Sequence, residues 1–247
     1  MGIVNLFRHG LGAIRDVAVP PLYLICEAMI DQPGGACAHC WSKIRFISPP
    51  FCAVSGAPFS HDHGEGIVSA DVIANPPPYN RCRSAVIYDD NVRALVTGLK
   101  YSDRLDLAPW LANWMLATGS PLLKDADMII PIPLYLTRLI QRRYNQSSEL
   151  ARFIAAKSGV PFCPDTLGRF RKTKQQVGLT EKERERNVQG AFRVPDSKKP
   201  EVSGRNILLI DDVYTSGATV KAAARALKRA GSRQIDVLTF ARVENLE

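Results

Sequence analysis

Residues Asn206–Thr219 read NILLIDDVYTSGAT. The unbroken apolar run Ile207–Ile210 shows no polar alternation, so it predicts a strand buried on both faces, as in a parallel sheet covered by helices. Asp211 and Asp212 follow at its carboxyl end, where open sheets of this kind bind their ligands. The segment then leads into a helix expected from Ala218 to Ala230 and stopped by Gly231. Each part suits a phosphorylated sugar. Adjacent carboxylates accept hydrogen bonds from vicinal ribose hydroxyls and assist a hard cation such as Mg2+. The hydroxyls of Thr215, Ser216 and Thr219 donate to phosphate oxygens, Gly217 lets the backbone come close, and the free N–H groups at the helix start favour an anion. Paired acids after a strand also form the Mg2+ arm of P-loop ATPases, but the chain contains no G-x-x-x-x-G-K-[ST] segment. A plain polar loop explains neither the adjacent acids nor the hydroxyls flanking one glycine.

Working outward, strands and helices alternate from about residue 81. The pattern predicts strands at Ser84–Tyr88, Asp127–Pro131 and Ile235–Phe240, with helices at Asn91–Leu99, Leu105–Thr118 and Ser147–Lys157, the last closed by Gly159. The run Lys172–Gln189 is polar and poor in apolar anchors, which predicts a mobile loop over the site. Residues 21–80 are rich in Pro, Gly and Cys and end at Pro76-Pro77-Pro78, the composition of a small, loop-rich module. Residues 1–20 have the spacing of a short amphipathic helix. The expected division is therefore 1–20, 21–80 and 81–247.

A chain of 247 residues, 46% hydrophobic and 23% charged, is long enough for one α/β domain with a smaller appendage. No apolar run reaches the roughly 18 residues needed to span a bilayer, so no membrane insertion is expected. Arg8, His9, Arg15 and Asp16 interrupt the apolar residues of the N-terminus, which argues against a signal peptide and for a cytoplasmic location. The formal net charge of +8 is uneven, with −2 over residues 1–80 and +10 over the rest. Basic residues bunch at Arg138, Arg142 and Arg143, at Arg169, Arg171, Lys172 and Lys174, and along Lys221, Arg225, Lys228 and Arg229. Such clusters serve as solvated faces or as surfaces for phosphates or nucleic acid, and charge alone does not choose. Of the six cysteines, four fall in residues 26–52, and in a cytoplasmic chain they read as thiols or metal ligands.

The order Asp211-Asp212-Val213-Tyr214-Thr215-Ser216-Gly217-Ala218-Thr219 resembles the binding signature for 5-phosphoribosyl 1-pyrophosphate (PRPP) of type I phosphoribosyltransferases. Further segments, Gly98–Tyr101, Pro131–Leu134, Arg143–Gln146, Arg169…Gln176 and Arg186–Phe192, resemble the successive motifs of the ComF family (competence protein F). With a cysteine-bearing N-terminal module, the resemblance covers nearly the whole chain. It implies a type I phosphoribosyltransferase fold, an α/β domain with a Rossmann-like parallel sheet, behind a degenerate zinc-ribbon-like module. It also implies a link to DNA uptake in natural transformation, with other DNA-uptake proteins as partners. Under it, Val213, Tyr214, Thr215, Ser216, Gly217, Ala218 and Thr219 hold the 5-phosphate, and Asp211 and Asp212 are the catalytic and Mg2+-assisting pair.

Pro131-Ile132-Pro133 follows a buried strand, where the pyrophosphate-facing loop should lie. Arg138, Arg142 and Arg143 are candidates for the pyrophosphate, since guanidinium forks match phosphate oxygens. Lys100 reads as a solvated or ligand-gating cation. Asn145 and Gln146 either cap the next helix or contact ligand. No Ser–His–Asp or Cys–His arrangement points to covalent catalysis. Two functions are expected in parallel. One is Mg2+-dependent phosphoribosyl transfer from PRPP to an unknown acceptor. The other is a non-catalytic module that senses PRPP or binds single-stranded DNA.

The family's paired zinc ribbons use C-x-x-C knuckles, and only Cys37-Ala38-His39-Cys40 is complete here. Cys26 lacks its mate, since Tyr23 stands there. Cys52 lacks one too, with Ser55 in its place, and Ser69 and Val72 occupy the last knuckle. Cys26, Cys37, Cys40 and Cys52 are enough for one tetrahedral zinc site, with His61 and His63 as spare donors. The alternative is a metal-free relic packed around Trp41, Phe46, Phe51 and Phe59.

Overall fold

The strand carrying the acidic pair runs further than its apolar part. In a computed structural model that describes residues 37–62, 64–101, 104–173 and 180–244, it spans Asn206–Tyr214. Cys26, His63, Lys174 and the helix expected over residues 1–20 lie outside the described residues. The elements in chain order are β1 (Arg81–Ile87), α1 (Asp90–Tyr101), α2 (Ala108–Leu123), β2 (Met128–Pro131), α3 (Leu136–Arg142), α4 (Gln146–Ser158), β3 (Gly168–Arg169), α5 (Glu181–Val188), β4 (Phe192–Arg193), β5 (Asn206–Tyr214), α6 (Ala218–Arg229) and β6 (Gln234–Arg242). Strands β1, β6, β5 and β2 lie side by side in that order, every neighbouring pair parallel. β3 and β4 form a small antiparallel ribbon.

Both faces of the sheet are covered, which is why its strands carry no polar alternation. Along β5, Ile207 and Leu209 join a cluster with Ala223 and Leu227 of α6 and with Val188 and Phe192. Leu208 and Ile210, which alternate with them, are also fully buried. On α2, Gly119 lets the helix approach β6 closely, because a Cβ there would stand 2.5 Å from Leu238 Cδ2. This helix runs five residues past its expected end at Thr118, through Pro121 to Leu123. Proline in a last turn forfeits little, since the chain leaves the helix soon after.

Chain contacts divide the protein into residues 1–44 and 45–247. In the first unit, the knuckle is visible: Cys37 starts a helical turn, Ala38–Trp41, and its Sγ accepts from the Cys40 N–H at 3.3 Å. In the second, residues 45–80 are tied to the sheet. The Ile47 and Ile87 N–H groups donate to Ala85 O and Arg45 O, Cys82 N–H donates to Val54 O, and the Arg83 and Arg242 guanidinium groups donate to Ala53 O and Ser55 O.

The expected loop Lys172–Gln189 is in part helical. Thr180 and Glu183 form a reciprocal capping box that starts α5. At the other end, one Arg171 nitrogen donates to the carbonyls of Arg186, Asn187 and Gln189. Apolar periodicity could not reveal a helix held by its caps. Nor could it reveal α3, which buries none of its residues.

Candidate functional site

Strand register places the acidic pair. β2 ends at Pro131 opposite Ile210, while β5 continues beside β6 to Tyr214. Asp211 and Asp212 therefore extend past the carboxyl end of β2. Asp211 is buried, and its Oδ1 accepts from Ser147 Oγ and from the Asp212 N–H, both at 2.9 Å. Burial, and then the charge of Asp212, hold the Asp211 carboxyl above its ordinary value. Asp212 Oδ1 accepts from the Val213 N–H at 2.7 Å, and Lys100 Nζ lies 2.9 Å from its Oδ2. Burial pulls the Lys100 ammonium down, but the Asp212 carboxylate outweighs it and leaves its pKa raised.

The turn that follows needs its glycine. Gly217 precedes α6 with φ 73°, and a Cβ there would stand 2.3 Å from the Tyr214 hydroxyl. That hydroxyl is fixed from behind by Tyr79, the two oxygens lying 2.9 Å apart, and the Arg242 guanidinium stacks 4.9 Å over the Tyr214 ring.

A cavity of about 480 Å3 opens in front of these residues. Lys100, Arg138, Arg142, Asp211, Asp212, Val213, Thr215, Gly217, Ala218 and Thr219 all line it. Tyr214 does not, being turned inward to Tyr79, and Ser216 Oγ is buried without a hydrogen-bond partner among the described residues. Arg143, which ends α3 in the left-handed conformation at φ 64°, does not line the cavity either. Asn145 precedes α4 without a side-chain capping bond and donates instead to Ile132 O at 3.0 Å.

Several lining residues were not singled out from the sequence as site residues: Arg93, Ser147, Arg169 and Arg184. Arg169 is pushed down to about 10, by burial and then by Arg138, and its buried Nε has no partner among the described residues. Its signals in the sequence were its place in a basic cluster and at the start of the motif Arg169…Gln176. Gln146, left open between cap and ligand contact, lines the cavity. Its Oε1 accepts from Arg142 at 3.1 Å while its buried Nε2 has no partner among the described residues. A buried donor without a partner is costly unless something fills the site.

Around Cys52, the mates that a paired zinc knuckle would need are serines. The fully buried Cys52 Sγ accepts from the Ser55 and Ser69 N–H groups at 3.4 and 3.3 Å. Burial pushes the thiol up, but hydrogen bonds from Ser55 and Ser69 outweigh it and bring it down to about 7. Hydrogen-bond donors thus surround the sulfur. Among the described residues no three His, Cys, Asp or Glu side chains gather as a metal site. His61 Nδ1 lies 2.9 Å from Ser60 Oγ, and no described helix is long and apolar enough to cross a membrane.

Competence protein F of Haemophilus influenzae is 27% identical to this chain, covering 84% of it and 90% of the relative. Competence protein ComFC of Bacillus subtilis is 29% identical over 79% of this chain and 78% of its own. DNA utilization protein YhgH of Salmonella typhi is 30% identical over 235 residues, which is 92% of this chain and 99% of the relative. The chain belongs to the ComF family. In this ComF family member, the model of the phosphoribosyl transferase domain matches residues 136–245 and that of the double zinc ribbon domain matches residues 14–72. With its parallel sheet, the fold is that of a type I phosphoribosyltransferase behind a zinc-ribbon-like N-terminal region. Solved structures include orotate phosphoribosyltransferase from Aeropyrum pernix, 16% identical with a TM-score of 0.32 over 65% of this chain and 80% of that one. Another is the PRPP amidotransferase from B. subtilis, 19% identical with a TM-score of 0.37 over 57% and 30%. Neither likeness is close enough to bear on the site.

Proposed function

We propose that this ComF family protein binds PRPP in the cavity at Asp211 and transfers its phosphoribosyl group to an acceptor. The observation that carries the reading is the convergence on one cavity of an acidic pair, a hydroxyl-bearing helix start and several guanidinium groups. The 5-phosphate sits against Thr215, Gly217, Ala218 and Thr219, where backbone N–H groups and hydroxyls donate to it. The ribose hydroxyls donate to Asp211 and Asp212. Arg138, Arg142 and Arg169 take the pyrophosphate as bidentate donors. The buried Gln146 Nε2, which lines the cavity, is a donor for ligand oxygens.

Mg2+ suits the oxygen donors of Asp211 and Asp212, and when bound it would neutralise charge on the departing pyrophosphate. The chain's own contribution is electrostatic: cations already held in place face the leaving group as its charge develops. Lys100 balances the acidic pair before ligand arrives. The test is calorimetry with PRPP and Mg2+, beside pyrophosphate release in the presence of candidate acceptors. Binding without release under any acceptor would leave the protein a PRPP sensor, and absence of binding would end the reading.

A second reading, single-stranded DNA handling in the cytoplasm with other uptake proteins, is favoured by the charge of +10 over residues 81–247. The names of the relatives agree with it. Affinity for oligothymidylate should then fall by about 0.7 log units per log unit of salt for each phosphate neutralised. Affinity that does not change with salt would exclude it.

A further inference from the structure

A second cavity, of about 430 Å3, lies between α5 and α6, and four of its lining residues are Lys182, Arg186, Arg225 and Arg229. On α5, Lys182, Glu185 and Arg186 follow the spacing i, i+3, i+4, which puts them on one helical face, and Gln189 follows the helix end. On α6, Ala222, Arg225 and Arg229 do the same, and the small Ala222 leaves the floor open. Two helices that meet along charged faces ordinarily place opposite signs across the seam. Here both present cations. Glu185 is the one carboxylate among the described lining residues, and it lies 3.9 Å from Lys221. Lys182, Arg186, Arg225 and Arg229 make no ion pair among the described residues. Stability does not explain this arrangement, because like charges facing one another across a cleft repel. A multivalent anion between the helices adds an attraction to each of those cations, which offsets their mutual repulsion.

We propose that the α5–α6 cleft is a second anion site, separate from the cavity at Asp211, that takes a short chain of phosphates. Lys182 and Arg186 hold it from one wall, and Arg225 and Arg229 from the other. The volume falls within the range of roughly 300–1,000 Å3 typical of small-molecule sites. Among the described residues no aromatic side chain lines the cleft to stack a base, so the phosphates carry the recognition, whether they come as free oligophosphate or as the tail of a nucleotide.

The test uses the full chain and inorganic tripolyphosphate, read by hydrogen exchange and calorimetry. Tripolyphosphate should slow exchange in Glu181–Val188 and Lys221–Arg229. The variant Arg225→Glu/Arg229→Glu should lose that protection and bind at least about tenfold more weakly at this site, a difference of roughly 1.4 kcal/mol. Lys182→Ala/Arg186→Ala, on the opposite wall, should repeat the loss without touching α6. Arg138→Ala/Arg142→Ala, in the other cavity, should leave the protection in place. ATP should protect the same segments with the affinity of tripolyphosphate. ATP binding more than about tenfold tighter would overturn recognition through phosphates alone. Protection abolished by Arg138→Ala/Arg142→Ala but untouched by the α6 substitutions would assign the anion to the first cavity and overturn the proposal. It also fails if these segments are not protected while oligothymidylate binding depends on the same four residues.

Discussion

Lys100 Nζ stands 2.9 Å from Asp212 Oδ2, so the acidic pair is already neutralised in part before any ligand arrives. Lys100 comes from the last turn of α1 and Asp212 from the end of β5, and a hard cation binding to Asp212 must displace or share this contact. Replacing Lys100 by Met should therefore tighten Mg2+ binding measured without PRPP. A factor of roughly five is expected, given about 1 kcal/mol for an ion pair near a surface. Titration calorimetry showing equal or weaker Mg2+ binding would contradict that role.

Asp211 should cost stability where it is ionised. A carboxyl whose native pKa is raised binds its proton more readily folded than unfolded. Its contribution is thus present at acid pH and is lost as pH rises past its ordinary 3.8 through its native value. Asp211→Asn keeps the acceptor for Ser147 and removes the buried charge. The melting temperature of the variant should match wild type near that lower pH and exceed it increasingly as pH rises through neutral. A constant difference across the range would show that burial of the charge is not the cause.

The same two carboxylates should be needed for ligand. Asp211→Asn/Asp212→Asn should weaken PRPP binding with Mg2+ by about two orders of magnitude. The basis is roughly 1.5–3 kcal/mol for each hydrogen bond to a charged group. Unchanged affinity by calorimetry would remove PRPP from this cavity.

Gly217 should tolerate no side chain. The left-handed conformation costs an L-residue about 1–2 kcal/mol, and the Cβ would meet the Tyr214 hydroxyl at 2.3 Å, which Tyr79 prevents from swinging away. Gly217→Ala should lower the melting temperature by roughly 2–8 °C for a domain of this size and weaken PRPP binding as the turn shifts. An unaltered melting temperature would show that the loop relaxes freely.

Arg171 should govern the order of α5. Its guanidinium satisfies three carbonyls at the helix end, and Val188 is the helix's one buried residue among those described. In Arg171→Ala, amide exchange over Glu181–Val188 should speed up several-fold while β5 and β6 keep their protection. Equal exchange in both proteins would mean that packing against α6 alone holds the helix.

The sequence alone determined the strand at Ile207–Ile210, the acids after it, the helix from Ala218 and the family, because these rest on local order. Buried apolar runs, a turn glycine and a cap residue act over a few positions, and their chemistry can be read along the chain. What tertiary structure decided is which side chains face one space. Lys100 stands more than a hundred positions before Asp212 and Ser147 more than sixty before Asp211, and no spacing rule reaches that far. Arg143 looked equal to Arg138 and Arg142 in the sequence, but at the left-handed end of α3 it does not line the cavity wall, and Arg169 lines that wall. Helices α3 and α5 escaped the reading because α3 buries no residue and α5 is held by its caps, and apolar period registers only burial. Cys52 kept its thiol but has serine N–H groups around it. Whether a cysteine meets ligands or hydrogen-bond donors is settled by residues brought together from distant parts of the chain, such as Ser69, seventeen positions on.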